Sequence, residues 1–224
     1  MSRRSSAAEA ADDVETTIEA FSRGSPVLVH DFDDREDETD IVIPAAGVEP
    51  PDVAQLRQDA GGLVCVALPF DVAEAFDLPY LSEVLDHPAT TAGPMAYGDR
   101  SSFSLPVNHR ETYTGITDND RARTISALAR AARTPGDVDF AAEFRVPGHV
   151  NLLKAAPGLL SERRGHTELG IALAEAAGCD PAVVVCEMLD GTTGEARSRA
   201  DARAYADEHG YPFLEGSAVV DHLG

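Results

Sequence analysis

Five short segments concentrate the side chains that can do chemistry. The first is Asp31 to Asp40 (DFDDREDETD), where carboxylates surround Arg35 between two apolar runs. Hard oxygen donors of this kind suit magnesium, which takes one or two carboxylates and keeps waters that substrate oxygens can replace. The plain alternative is a solvated acidic loop. The second is Arg163 to Glu168 (RRGHTE), just ahead of a helical pattern. A helix start offers backbone N–H groups and the positive end of its dipole, so a phosphate suits it. Arg163 adds a planar donor fork. Thr167 offers a hydroxyl and a possible cap, and His166 a nitrogen ligand, unless it is an ordinary loop histidine. The third is Arg145 to Val150 (RVPGHV), where His149 follows Pro-Gly and is either an acid–base group or a turn histidine. The fourth is Glu187 within VVVCEML, a carboxylate that must pair, face a site or have a raised pKa. The fifth is Thr112 to Arg121 (TYTGITDNDR), whose hydroxyls suit a polyol or phosphate and also suit helix capping. Cys65, inside LVCVAL, reads locally as a small core residue.

These segments need elements to hold them. Val14, Ile18 and Phe21 have helical spacing, after a tail over residues 1 to 12 that is expected to be loose. Pro26 to His30, Ile41 to Ala45, Leu63 to Leu68, Phe103 to Val107 and Ala182 to Leu189 read as strands. Pro51 to Ala60, Thr117 to Ala132, Thr167 to Ala177 and Ser198 to His209 read as helices. Thr117 with Asp120 resembles a capping box, and Gly178 ends the third helix. Strands and helices mix without strict alternation. The expected fold is α+β, a layered α/β sandwich with a central mixed β-sheet flanked by helices. The whole of 1–224 is expected to be one domain.

Bulk properties narrow the function. The formal net charge is −21, and Lys154 is the only lysine. So acidic a chain repels nucleic acid and anionic membranes, and neither is expected as a partner. Periodic apolar segments argue against disorder. Hydrated carboxylates with arginine in place of lysine point to a surface adapted to high salt. No apolar run is long enough to span a membrane, and the polar start has no signal-peptide core, so a cytoplasmic location is expected. Three cysteines without metal-like spacing are expected as free thiols.

Taken together and in order, DDREDETD, GGLVCVALP, TGITDNDRARTI, RVPGHVNLL, GHTELGIALAEAAG, VVVCEML and GTTGEAR resemble the 3,4-dihydroxy-2-butanone 4-phosphate synthases of riboflavin biosynthesis, from about Ser25 onward. The resemblance implies a lyase that converts D-ribulose 5-phosphate to L-3,4-dihydroxy-2-butanone 4-phosphate and formate, with Mg2+ or Mn2+ stabilising an enediolate. It also implies a homodimer with active sites near the subunit interface. A monofunctional enzyme of halophilic-archaeal type is expected, without the downstream domain of bifunctional members. Carried over by position, Glu36 and His166 match the metal ligands. Arg35, Glu36, Asp40, Arg163, Thr167 and Glu187 match substrate contacts. His149 and Glu187 match catalytic positions, and Asp31, Glu38 and Cys65 match further active-site positions. Thr39 departs from the Gly or Ala often found there, without touching a matched functional position. The alternatives are another metal-dependent phosphosugar isomerase or aldolase, or a nucleotide- or RNA-binding module. The missing basic patch opposes the last.

Overall fold

The computed structural model describes residues 2–90 and 98–224, with side chains from residue 11 onward. In chain order the elements are α1 (Ser2–Ser22), β1 (Val27–His30), β2 (Thr39–Pro44), α2 (Pro50–Asp59), β3 (Cys65–Leu68), α3 (Phe70–Ala75), α4 (Leu81–Val84), β4 (Phe103–His109), α5 (Asp118–Arg133), α6 (Phe140–Glu143), β5 (Phe144–Lys154), α7 (His166–Ala176), β6 (Val183–Glu187), α8 (Arg199–His209), β7 (Phe213–Glu215) and α9 (Gly216–Leu223). The strands form one sheet in the order β4-β5-β3-β6-β2-β1-β7. β1 runs parallel to β7 and β3 to β5, and the other pairs are antiparallel. The mixed, layered α+β architecture expected from the sequence is the one found.

Both faces of the sheet are covered, which is why its strands read as continuous apolar runs rather than alternating ones. Ile41, Ile43, Val66, Leu68, Val184 and Cys186 share one core with Leu56 of α2, Leu128 of α5 and Ala202 of α8. Val42, Cys65, Ala67, Val183 and Val185 point the other way, into a core with Phe21 of α1, Leu169 of α7 and Val219 of α9. Leu56 and Leu169 are fully buried, and truncating either to alanine should cost roughly 2–5 kcal/mol.

Helix starts follow their local chemistry. Thr117 accepts the Asp120 N–H at α5, and Ser198 accepts the Asp201 N–H at α8. Glu49 and Asp52 form a capping box around the prolines that open α2. At α7 the cap is Gly165, which has no side chain to offer, so Thr167 is not the cap but sits within the first turn. Residues 2 to 12, expected as a loose tail, instead lie within α1, which runs unbroken from Ser2 to Ser22.

One segment differs from its reading as a turn. RVPGHV lies inside the long strand β5. Val107 pairs with Val150 while Asn108 pairs with Arg145, so residues 146 to 149 are looped out of the ladder. The flanking apolar residues keep the strand, and the Pro-Gly supplies the excursion. A Cβ at Gly148 would lie 1.8 Å from the Val107 carbonyl carbon, so only glycine lets the excursion pass this close. The short β7 and the helix α9 had no distinct signal in the sequence.

Candidate active site

The strand register brings the first of the chemical groups together. Asp40 on β2 lies directly opposite Glu187 on β6, and Cys65 on β3 lies opposite Val185. With a side-chain period of two, Asp40, Cys65 and Glu187 all emerge on the face that carries α7. The first turn of α7 projects His166 and Thr167 onto these strand ends. The β1–β2 loop folds over from the side with Arg35 and Glu36. Arg35, Glu36, Asp40, Cys65, Arg163, His166, Thr167 and Glu187 therefore line one pocket, together with Ser101, Ser102, Phe103, Leu153 and Val185.

Asp31 organises the acidic loop. Its carboxylate is buried, and accepts the N–H groups of Glu36 at 3.2 Å and Glu38 at 3.0 Å and the Arg35 Nη1 at 2.9 Å. Arg35 in turn bridges to Glu36 Oε2 at 2.7 Å and to Asp99 at 2.9 Å. Such a chain of charge-assisted bonds fixes the loop and offsets the mutual repulsion of its carboxylates.

His166 is the centre of the cluster. Its Nδ1 lies 3.4 Å from both Glu36 Oε2 and Asp40 Oδ1, and all three side chains are largely shielded from solvent. Burial alone would lower its pKa, but Asp40, Glu36 and Asp31 outweigh it and hold the imidazole at about 9. Burial drives Asp40 well upward, with His166 pulling the other way. Burial also raises Glu38 and Glu187; Glu36 and Glu187 add to the rise at Glu38, while His166 partly offsets it at both. Cys65 is pushed up by burial and then by Glu187, so it is a neutral thiol, and it packs in the apolar core beside the pocket.

A divalent cation fits these residues. Asp31, Glu36 and His166 each offer a ligand atom within 4.8 Å of the others. Among the described residues, His166 Nε2 and Asp40 Oδ1 are buried without a hydrogen-bond partner. A buried polar atom left this way calls for a partner, which a bound cation would supply at these two. An imidazole nitrogen among carboxylates is a donor set for Mg2+ or Mn2+.

Next to this cluster lies a place for an anion. α7 starts at a glycine with no side-chain cap, and two guanidinium groups lie against that start. A Cβ at Gly165 would come within 2.3 Å of Arg163 Nη1 and 2.7 Å of Arg35 Nη2. Arginine forks, the Thr167 hydroxyl and a helix start converge on one spot, which is the chemistry a phosphate needs.

Not every expected residue joins the pocket. His149 sits in the β5 excursion, where its ring contacts Asn108, and it does not line the pocket. The Thr112–Thr117 loop is also elsewhere, held by Asp120, which accepts the Gly115 N–H at 2.8 Å. Tyr113 there is 94% exposed, and Ile116 and Val146 are also exposed. Two groups were missed by sequence reasoning. Asp99 receives Arg35 Nε and lies 3.5 Å from Arg163 Nε; it stands in a polar stretch with no pattern to mark it. Glu168 contacts Arg163, and its place three residues after the helix cap reads as ordinary capping.

Comparisons with known proteins agree on one family. A family model described as 3,4-dihydroxy-2-butanone 4-phosphate synthase matches residues 15–222. A 3,4-dihydroxy-2-butanone 4-phosphate synthase of Archaeoglobus fulgidus is 49% identical over 222 residues, covering 94% of this chain and 93% of its own. A crystal structure of a 3,4-dihydroxy-2-butanone 4-phosphate synthase in complex with two magnesium ions superposes with a TM-score of 0.76 at 29% identity, covering 94% of this chain and 95% of that one. A two-domain synthase from A. baumannii superposes with a TM-score of 0.77 at 32% identity over 92% of this chain, which spans only 56% of that longer protein.

Proposed function

Because the chain belongs to the 3,4-dihydroxy-2-butanone 4-phosphate synthase family, we propose how its pocket divides the work of that reaction among named residues. The enzyme is a divalent-metal-dependent lyase that converts D-ribulose 5-phosphate to L-3,4-dihydroxy-2-butanone 4-phosphate and formate in riboflavin biosynthesis. Among the described residues, no helix is long and apolar enough to cross a membrane.

The observation that carries the assignment of roles is the meeting of Glu36, Asp40, His166 and Glu187 with Arg35, Arg163 and Thr167 around one pocket. Glu36 and His166 would hold the metal, which when bound would supply the positive charge that makes an enediolate less costly. Arg163 and Thr167 take the phosphate at the start of α7, with Arg35 beside them. Asp40 and Glu187 face the sugar between these two ends. Loss of the C1 hydroxyl, the skeletal shift and release of C4 as formate each require proton movements. Glu187 and Glu38, both raised by burial, are the carboxyl groups that carry these protons. Asp31 works by positioning, since its oxygens are taken up by the loop. Cys65 forms a wall of the pocket.

His149 acts from a second copy of the chain. The exposed Tyr113, Ile116 and Val146 on the same edge of the sheet support a homodimer there. Mixing Glu36→Gln with His149→Ala, each inactive alone, should then restore about a quarter of wild-type activity through hybrid dimers. No recovery on mixing would confine each site to one chain. We also assign the enzyme to the cytoplasm and to a high-salt milieu. The one lysine, Lys154, is buried, so the surface carries arginine as its only fixed side-chain cation besides any charged histidine. The direct test of the whole reading is formate release from ribulose 5-phosphate, with and without magnesium, in molar salt. Formate in the presence of the metal alone is the expected result, and metal-independent turnover would remove the assignment of Glu36 and His166.

A further inference from the structure

We infer that Glu168 is a positioning residue that aims Arg163 at the substrate phosphate and so sets the enzyme's preference for a phosphorylated sugar; this rests on the reading that Arg163 takes the phosphate. Glu168 is fully buried at the third position of α7. A glutamate there ordinarily folds back onto the N–H of its own cap. This one turns inward instead. Its Oε2 lies 2.5 Å from Arg163 Nη1, and its Oε1 accepts the Ala156 N–H at 3.0 Å from the loop that follows β5. Glu168 thus ties the guanidinium to the buried backbone just past β5. It does not line the pocket, so it acts on substrate only through Arg163.

The need for such an anchor is physical. An arginine side chain has many rotamers and must give up that freedom to present its fork to a phosphate. A buried carboxylate that holds Nη1 removes the freedom before the substrate arrives, and Asp99, 3.5 Å from Nε, steadies the fork from a second side. The fit is close: a Cβ at Gly165 would lie 2.3 Å from the same Nη1, so the fork packs directly against the helix start.

The test compares Glu168→Gln, Arg163→Gln and the double variant. The readouts are KM and kcat for ribulose 5-phosphate and competitive inhibition by inorganic phosphate, with folding checked by circular dichroism. Glu168→Gln should raise KM and the inhibition constant together by roughly 10-fold with kcat within about 2-fold, the pattern of lost ground-state binding. The double variant should be no worse than Arg163→Gln alone, because Glu168 has nothing left to aim. If Arg163→Gln raises both constants and Glu168→Gln raises neither, or if the two penalties multiply, the positioning role is overturned. If Arg163→Gln itself changes neither constant, the phosphate reading fails instead, which is a separate result. Should Glu168→Gln fold poorly, the double variant removes charge and countercharge together. The phosphate-induced rise in its melting temperature should then equal that of Arg163→Gln; a smaller rise overturns the inference.

Discussion

Two buried histidines flank the acidic loop, and the same loop treats them in opposite ways. His166 faces Glu36 and Asp40, which are themselves mostly buried, and its pKa is held at about 9 although burial opposes it. His30 lies 3.2 Å from Asp37 and 4.0 Å from Asp33, but those carboxylates are mostly exposed and Arg199 sits on both of them. Burial, then Arg199, lowers the His30 pKa. The imidazole is also bonded through Nδ1 to Thr39 at 2.9 Å. A carboxylate in water, shared with an arginine, exerts little field on its neighbour. A shielded one demands a nearby cation, either a proton or a metal. The inner side of the loop is therefore built for chemistry and the outer side for solvation.

That contrast can be broken most severely by exchanging charges across the loop. Glu36→Gln should lower metal-dependent turnover by roughly 100-fold or more, whereas Asp37→Asn should leave it within about 2-fold; comparable losses in formate assays would erase the distinction. Next in size is the response of the surface to salt. The melting temperature should rise by on the order of 5 °C between dilute buffer and molar KCl as screening relieves the outer carboxylates. A melt unchanged by salt would remove the high-salt adaptation.

The pH dependence of stability sharpens the pair further. His30 is depressed in the fold below 6.5, so the stability tied to it is present above pH 6.5 and lost as pH falls through its folded value. His166 is raised to about 9 in the fold, so its contribution in the metal-free enzyme is complete below pH 6.5 and lost as pH rises through 9. His30→Gln should flatten the acid side of a melting-temperature profile, and His166→Gln the alkaline side. If both variants altered the same side, the opposite shifts would be wrong. The smallest effect is expected at Cys65, where the thiol is kept neutral by burial. Cys65→Ser should change kcat by less than about 3-fold, and a larger loss would make the thiol part of the chemistry.

Much of this was legible in the chain itself. The strands at PVLVH, IVIPA, LVCVAL and AVVVCEML were readable because burial on both sheet faces leaves continuous apolar runs. The helices starting near Thr117 and Ser198 were readable because their caps are local. His149 was harder. Pro147-Gly148 signals a turn, and only the pairing of Val107 with Val150 shows that the turn is an excursion within a strand. Asp99 and Glu168 were invisible because what marks them is a contact with arginine, not a spacing. Asp31 matched an active-site position without a stated role, and its three donors are what mark it as the organiser of the loop.

The sequence by itself determined the chemistry available: hard carboxylates at Glu36 and Asp40, an imidazole and guanidinium at a helix start, and a glutamate ending an apolar strand. Those are properties of residue type and local periodicity, which a chain carries before it folds. Only the tertiary structure decided which carboxylates matter. Sheet register set Asp40 against Glu187 and turned both toward α7, while Asp33 and Asp37 were left in water. The difference between a ligand and a solubilising charge is the dielectric around it, and that is fixed by packing between segments far apart in sequence.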